Sequence, residues 1–150
     1  MTRETRDVAP KGAASFFNDA VGRLTMLGVS VFGTRMLYVK GRKTGEWRST
    51  PVNPVTVGGE RYLLAPRGNV QWVRNLRAGG GEGELRLGRK TERFTATEIG
   101  DDDKPAVLRA YLKRWRWEIA PFFEGIDAKS PEDTLRRVAP GYPVFRLTPR

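Results

Sequence analysis

Near the start of the chain, Phe16, Phe17, Ala20, Val21, Leu24 and Leu27 recur at helical spacing, with Asn18, Asp19 and Arg23 on the opposite side. That pattern predicts an amphipathic helix over residues 13–27. Gly28 is its stop, and Val29, Val31 and Phe32 form an apolar tail suited to covering a core or touching a membrane surface. From Arg35 to Ile99 the period shortens and β-branched and aromatic residues alternate with glycine turns. Strands are predicted over 36–40, 48–57, 60–65, 84–87 and 91–99. They are joined by a turn from Gly41 to Gly45, a hairpin at Gly58-Gly59 and a turn through Gly88, Arg89 and Lys90. A short helix over 70–78 interrupts them, followed by Gly79-Gly80-Gly81, read as a flexible connector.

After the strands, Asp101, Asp102 and Asp103 precede Pro105 and read as an acidic N-terminal cap to a helix through Trp117. A metal site at these aspartates is the weaker reading, because three consecutive side chains before a helix diverge. A helix over 131–138 and a last strand over 142–147 complete the pattern. Consecutive hairpins argue against a doubly wound parallel sheet, in which every strand needs a helical crossover. The expected class is α+β, a small, mostly antiparallel barrel with flanking helices.

Composition narrows the chemistry. The 150 residues, 39% apolar and 29% charged, suit one domain with a core of its own. There is no cysteine and no histidine, which excludes disulfide scaffolds, thiol nucleophiles and histidine triads and removes the usual zinc ligands. No apolar run approaches the roughly 18 residues of a spanning helix, and the first ten residues lack a signal-peptide core. A cytoplasmic protein is expected, with peripheral contact at a membrane as an alternative. Lys and Arg number 27 against 17 Asp and Glu, a formal charge of +10. The expected partner is acidic: a phosphate, a carboxylate, nucleic acid or anionic lipid. A solvated basic surface is the alternative.

The segment Gly41-Arg42-Lys43-Thr44-Gly45-Glu46-Trp47-Arg48-Ser49-Thr50-Pro51 sets three cations around a glycine-flanked turn. Two glycines allow successive N–H groups to aim into one concavity, while Arg42, Lys43 and Arg48 supply charge-assisted bonds to an anion. It is not a Walker loop, since the glycine spacing is wrong and a strand follows.

With Ala65-Pro66-Arg67-Gly68, Trp72-Val73-Arg74-Asn75-Leu76-Arg77-Ala78 and Pro143-Val144-Phe145, this turn resembles the deazaflavin-dependent nitroreductases. These belong to the flavin and deazaflavin oxidoreductases that share a split, FMN-binding-like β-barrel. The resemblance implies a cofactor, an 8-hydroxy-5-deazaflavin (coenzyme F(420)) whose side chain carries a phosphate and an oligoglutamate tail. It implies that Gly41, Arg42, Lys43, Thr44, Gly45 and Arg48 hold the phosphate and tail, and that Thr50 and Pro51 also belong to the cofactor-binding residues. Ala65, Pro66, Arg67 and Gly68 would lie beside the tricyclic ring, and Trp72 and Asn75 would border its pocket. Family members often carry Ser and Lys where Pro66 and Arg67 stand, which changes the ring contacts. Where better-known members carry substrate-lining tyrosines, this chain offers Trp115, Trp117, Phe122 and Phe123, which are expected to shape the acceptor side.

The implied activity is hydride transfer to an electron-poor acceptor such as a quinone, an enone or a nitroaromatic, chemistry that the cofactor carries and the protein orients. The competing expectations are a non-catalytic deazaflavin carrier, an FMN-dependent oxidase on the same barrel, and a basic barrel binding single-stranded nucleic acid. For Trp72 and Leu76, helical spacing also fits simple core packing. The barrel would be a monomer or a homodimer.

Overall fold

The computed structural model describes residues 34–119, 123 and 125–150. The helix expected over 13–27 and the apolar tail after it lie outside these residues, as does Phe122. Among the described residues, seven strands form one sheet: β1 (Arg35–Lys40), β2 (Trp47–Val52), β3 (Val55–Val57), β4 (Glu60–Leu64), β5 (Glu82–Leu87), β6 (Lys90–Glu98) and β7 (Val144–Pro149). Their spatial order is β2-β1-β5-β6-β7-β4-β3, and every ladder is antiparallel. The described residues also form the helices α1 (Gln71–Ala78), α2 (Lys104–Ile119) and α3 (Glu132–Val138).

The single strand expected over 48–57 is two strands, and the reason is Pro54. Proline cannot donate to a ladder, and at Asn53-Pro54 the chain leaves one end of the sheet and enters the other. A two-residue connection spans only about 10 Å, so the two ends of the sheet must be brought together and the sheet must curl. The hydroxyl of Thr34 donates to Asn53 Oδ1 at 2.8 Å, anchoring the crossing. None of the described ladders joins β2 to β3, so the barrel is split along that line.

Alternation along the strands divides the core in two. Leu37 and Val39 of β1, Leu63 of β4, Leu85 of β5, Phe94 of β6 and Phe145 and Leu147 of β7 fill the barrel, joined by Val73 and Leu76 of α1. Neighbouring positions Leu64 and Val144 face outward, where Val107, Leu108, Tyr111, Leu112 and Trp115 of α2 and Leu135 of α3 cover them. The rings of Phe123 and Tyr142 stack there, 4.6 Å apart and 6° from parallel.

Several local expectations need correction. Asp101–Asp103 form a 3-10 turn that starts at Gly100 with no side-chain cap, and Asp101 Oδ1 instead lies 2.7 Å from Nζ of the fully buried Lys104. That ammonium also donates to the Ala139 carbonyl at 3.1 Å, so it ties α2 to the turn after α3. Leu87 pairs directly with Lys90, which shortens the β5–β6 loop to Gly88-Arg89.

The stretch Gly79-Gly80-Gly81 is not a loose connector. The Gly79 N–H caps α1 on the Asn75 carbonyl at 2.9 Å, the Gly81 N–H bonds the Leu76 carbonyl at 2.9 Å, and the Gly81 carbonyl accepts from Ala96 at 2.7 Å. Gly81 has φ +84°, and a Cβ there would sit 2.1 Å from the Ala96 carbonyl oxygen. The Ala96 backbone cannot yield cheaply, so Gly81→Ala is expected to cost about 3 kcal/mol or more. Chemical denaturation followed by tryptophan fluorescence checks this; a loss below about 1 kcal/mol would contradict the close packing.

Candidate functional site

Gly41 opens the turn between β1 and β2 and Gly45 closes it, with φ +73° at Gly45. The Gly41 N–H donates to the Glu46 carbonyl and the Gly45 N–H to the Gly41 carbonyl, both at 2.8 Å. The Glu46 N–H donates to the Thr44 hydroxyl at 3.2 Å. These internal bonds overturn the expected ring of backbone donors. Four N–H groups of the segment, those of Gly41, Arg42, Gly45 and Glu46, are spent within the protein. Side chains must supply most of what the turn offers a ligand.

Those side chains converge because of strand register. Val39 pairs with Arg48 and Leu37 with Thr50, and directly opposed residues share a face. That face, the turn and the start of α1 enclose a cavity of about 560 Å³. Of the residues expected to bind the cofactor, Gly41, Arg42, Lys43, Thr44, Arg48, Thr50, Arg67, Trp72 and Asn75 line it. Gly45 acts as the turn's left-handed residue, and Pro51 pairs with Met36 on the opposite sheet face. Ala65 is fully buried in the barrel core and bonds the Pro143 carbonyl through its N–H at 2.9 Å. Pro66 and Gly68 are also off the lining; Gly68, at φ +89°, bends the loop that carries Arg67.

Leu37, Val39, Ser49, Val70 and Gln71 complete the lining and were not expected there. For the two β1 residues only the pairing register carries the information; alone they read as core. Gln71 had a readable signal, since it stands four residues before Asn75 on one face of α1. Trp72 lines the cavity and also packs on the core, its ring centroid 6.0 Å from that of Phe145. Leu76 is core only.

The aromatic acceptor wall expected from residues 115–123 is not formed by Trp115 or Phe123. Both are buried in the outer core under α2 and α3, on the far side of the sheet from the barrel interior. The side chain of Trp117 is not among those described.

Electrostatics set the cavity apart. It is lined by Arg42, Lys43, Arg48 and Arg67 and by no Asp or Glu among the described residues. Elsewhere arginines meet carboxylates: Arg77 with Glu98 at 2.7 Å, Arg86 with Glu84 at 2.5 Å, Arg61 with Glu92. Arg42 instead meets two neutral amides, Gln71 Oε1 at 2.9 Å and Asn75 Oδ1 at 2.8 Å. Positive charge concentrated in a lining without a carboxylate, beside a flat indole, suits an anion joined to an aromatic ring. The residues present therefore fit a deazaflavin bearing a phosphate and an acidic tail. The same concentration, in one cavity rather than along a sheet face, disfavours the nucleic-acid reading.

A protein-family model described as F420H(2)-dependent quinone reductase matches residues 16–118. The chain belongs to that family. Membership makes this F420H2-dependent quinone reductase family member an oxidoreductase with coenzyme F420 as its cofactor, as the motifs implied. No curated protein matches the chain.

Among solved structures, an F420-H2 dependent reductase, FDR-A, superposes with a TM-score of 0.50 at 17% identity, covering 77% of this chain and 94% of its own. A structure described as a domain-swapped dimer gives 0.55 at 16%, covering 91% and 100%. The conserved hypothetical protein Rv2991 of Mycobacterium tuberculosis gives 0.53 at 15%, covering 100% and 86%. At such identities the likeness is one of fold, the split barrel. No helix among the described residues is long and apolar enough to cross a membrane.

The loop that carries Arg67 is clamped by α1. Arg77 donates through Nη1 to Oδ1 of the buried Asn69 at 2.9 Å and through Nε and Nη2 to Glu98 at 2.8 and 2.7 Å. Arg77→Ala should cost about 1–2 kcal/mol, chiefly from the Asn69 oxygen left buried, and should speed amide exchange at residues 67–69. Hydrogen exchange at Gly68 and Asn69 as slow as in the wild type would contradict this clamp.

Proposed function

We propose that this protein uses reduced coenzyme F420 to reduce a quinone, with the cofactor's phosphate and oligoglutamate at Arg42, Lys43 and Arg48 and its ring toward Trp72 and Arg67. The observation that carries the assignment is the carboxylate-free cationic lining. When bound, the reduced deazaflavin supplies a hydride, and a quinone that takes it with one proton from water becomes the hydroquinone. The family's description supports the quinone as acceptor; enones and nitroaromatics share its electron demand and remain candidate substrates.

The chain's own residues bind and orient. Arg42 and Arg48 offer planar, bidentate donors to phosphate or carboxylate oxygens, and Lys43 adds a mobile point charge. Thr44 and Thr50 carry hydroxyls into the same lining. Leu37, Val39 and Val70 give the cavity an apolar floor, which keeps water from one side of a seated ring. Among the described residues, the lining holds no imidazole, carboxylic acid or phenol, so the proton for the quinone oxygen comes from water in this reading. Rate enhancement then rests on orientation and electrostatics more than on acid catalysis.

Fluorescence titration with the deazaflavin, in parallel with FMN, tests the binding, and loss of the reduced-deazaflavin signal in the presence of a quinone tests the turnover. Arg42→Ala combined with Lys43→Ala should weaken deazaflavin binding at least tenfold and affect a tailless analogue less, with only a modest fall in melting temperature, because Asn75 Oδ1 loses Arg42 Nη1 but keeps the backbone N–H of position 42. Preferential FMN binding would make the protein a flavin enzyme, and saturation without quinone reduction would make it a carrier. Either result overturns the proposal.

A further inference from the structure

We infer that Asn75 is a positioning residue: with Gln71 it fixes Arg42 through neutral amide oxygens, holding the guanidinium in place while leaving its charge for the anionic end of the ligand. This rests on the cavity's being the cofactor site.

Asn75 is 5% exposed, and its Oδ1 accepts from both the Arg42 backbone N–H at 3.1 Å and Arg42 Nη1 at 2.8 Å. Both partners can only donate, so the amide oxygen, not the nitrogen, must face them. Gln71, one helical turn earlier, accepts a second bond from the same Nη1 at 2.9 Å. Together the two amides use Nη1 and the main chain of Arg42, and Nε and Nη2 have no partner among the described residues.

Helix α1 is itself held, since Val73 and Leu76 are fully buried in the barrel core and the Asn75 carbonyl caps onto Gly79. The turn between β1 and β2 is thereby tied to the core through the amides of Asn75 and Gln71. A carboxylate at position 75 or 71 would accept the same bonds. It would also neutralise the cation it holds, as Glu84 does for Arg86 and Glu98 for Arg77. The amide separates positioning from neutralisation.

The test uses the full-length protein, two probes (inorganic tripolyphosphate and the reduced deazaflavin) and the variants Asn75→Asp and Gln71→Glu. Charge-assisted bonds are at least as strong as neutral ones, so the melting temperature of N75D should be unchanged or raised. Its affinity for both probes should fall at least tenfold, and its binding should depend less steeply on salt because one cation has been cancelled. A residue that merely stabilised the fold would not lower affinity and flatten the salt response while preserving stability. If N75D fails to fold, the exposed Gln71→Glu carries the same measurement.

Wild-type affinity and salt dependence in both folded variants would overturn the inference. Tripolyphosphate binding that responds as described, with no uptake of deazaflavin by the wild type, would uphold the clamp and sink the cofactor assignment. Deazaflavin bound equally well by wild type and variants would do the reverse.

Discussion

Arg42 is held to α1 by two amide oxygens, and most of what distinguishes this barrel follows from that contact. The turn between β1 and β2 carries the cations of the site, and α1 carries the indole wall. Without the bonds to Gln71 and Asn75 these would be two independent surface elements. Joined, they enclose a volume that neither could define, over a floor supplied by β1. The contact is polar and partly solvent-exposed, yet it stands on a helix whose other face is fully buried.

Charge is handled in two ways within one small molecule. Lys104 is buried completely and is satisfied by the Asp101 carboxylate and the Ala139 carbonyl, as a cation away from water must be. Its work is to join α2 to the turn before β7. Arg42, Lys43 and Arg48 of the cavity are exposed, and the lining holds no carboxylate among the described residues. Exposed cations repel one another only weakly across water. An excess of +10 over the chain is thus less informative than where carboxylates are withheld.

The barrel core shares its sheet face with the cavity, but the second core does not. Outward-facing residues and the aromatic stack under α2 and α3 form a second core remote from the site. Trp115 and Phe123 belong there, although a resemblance centred on the site drew them toward the acceptor pocket. An aromatic-rich helix after a barrel can serve either face, and local spacing does not say which. Only the side of the sheet on which α2 packs decides it. The glycine-rich connector after α1 carries a related lesson: composition suggests looseness, while Gly81 is locked by a positive φ and by the Ala96 backbone lying where a Cβ would be.

The chain's own pattern determined the alternation of short strands, the hairpin at Gly58-Gly59, the helix beginning near Gln71, the glycine-bracketed cationic turn and the motifs that mark the family. These depend on local periodicity, turn stereochemistry and residue type, all carried by neighbouring positions. Tertiary structure decided that 48–57 divides at Pro54 between the two ends of a curled sheet. It also decided that Val39 and Leu37 lie beside Arg48 and Thr50 on one face, and that four of the turn's N–H groups are spent internally. The pairing of Arg42 with Asn75 spans 33 positions. Each of these depends on register and barrel closure, which are set by contacts between segments distant in sequence and so are not written in any one of them.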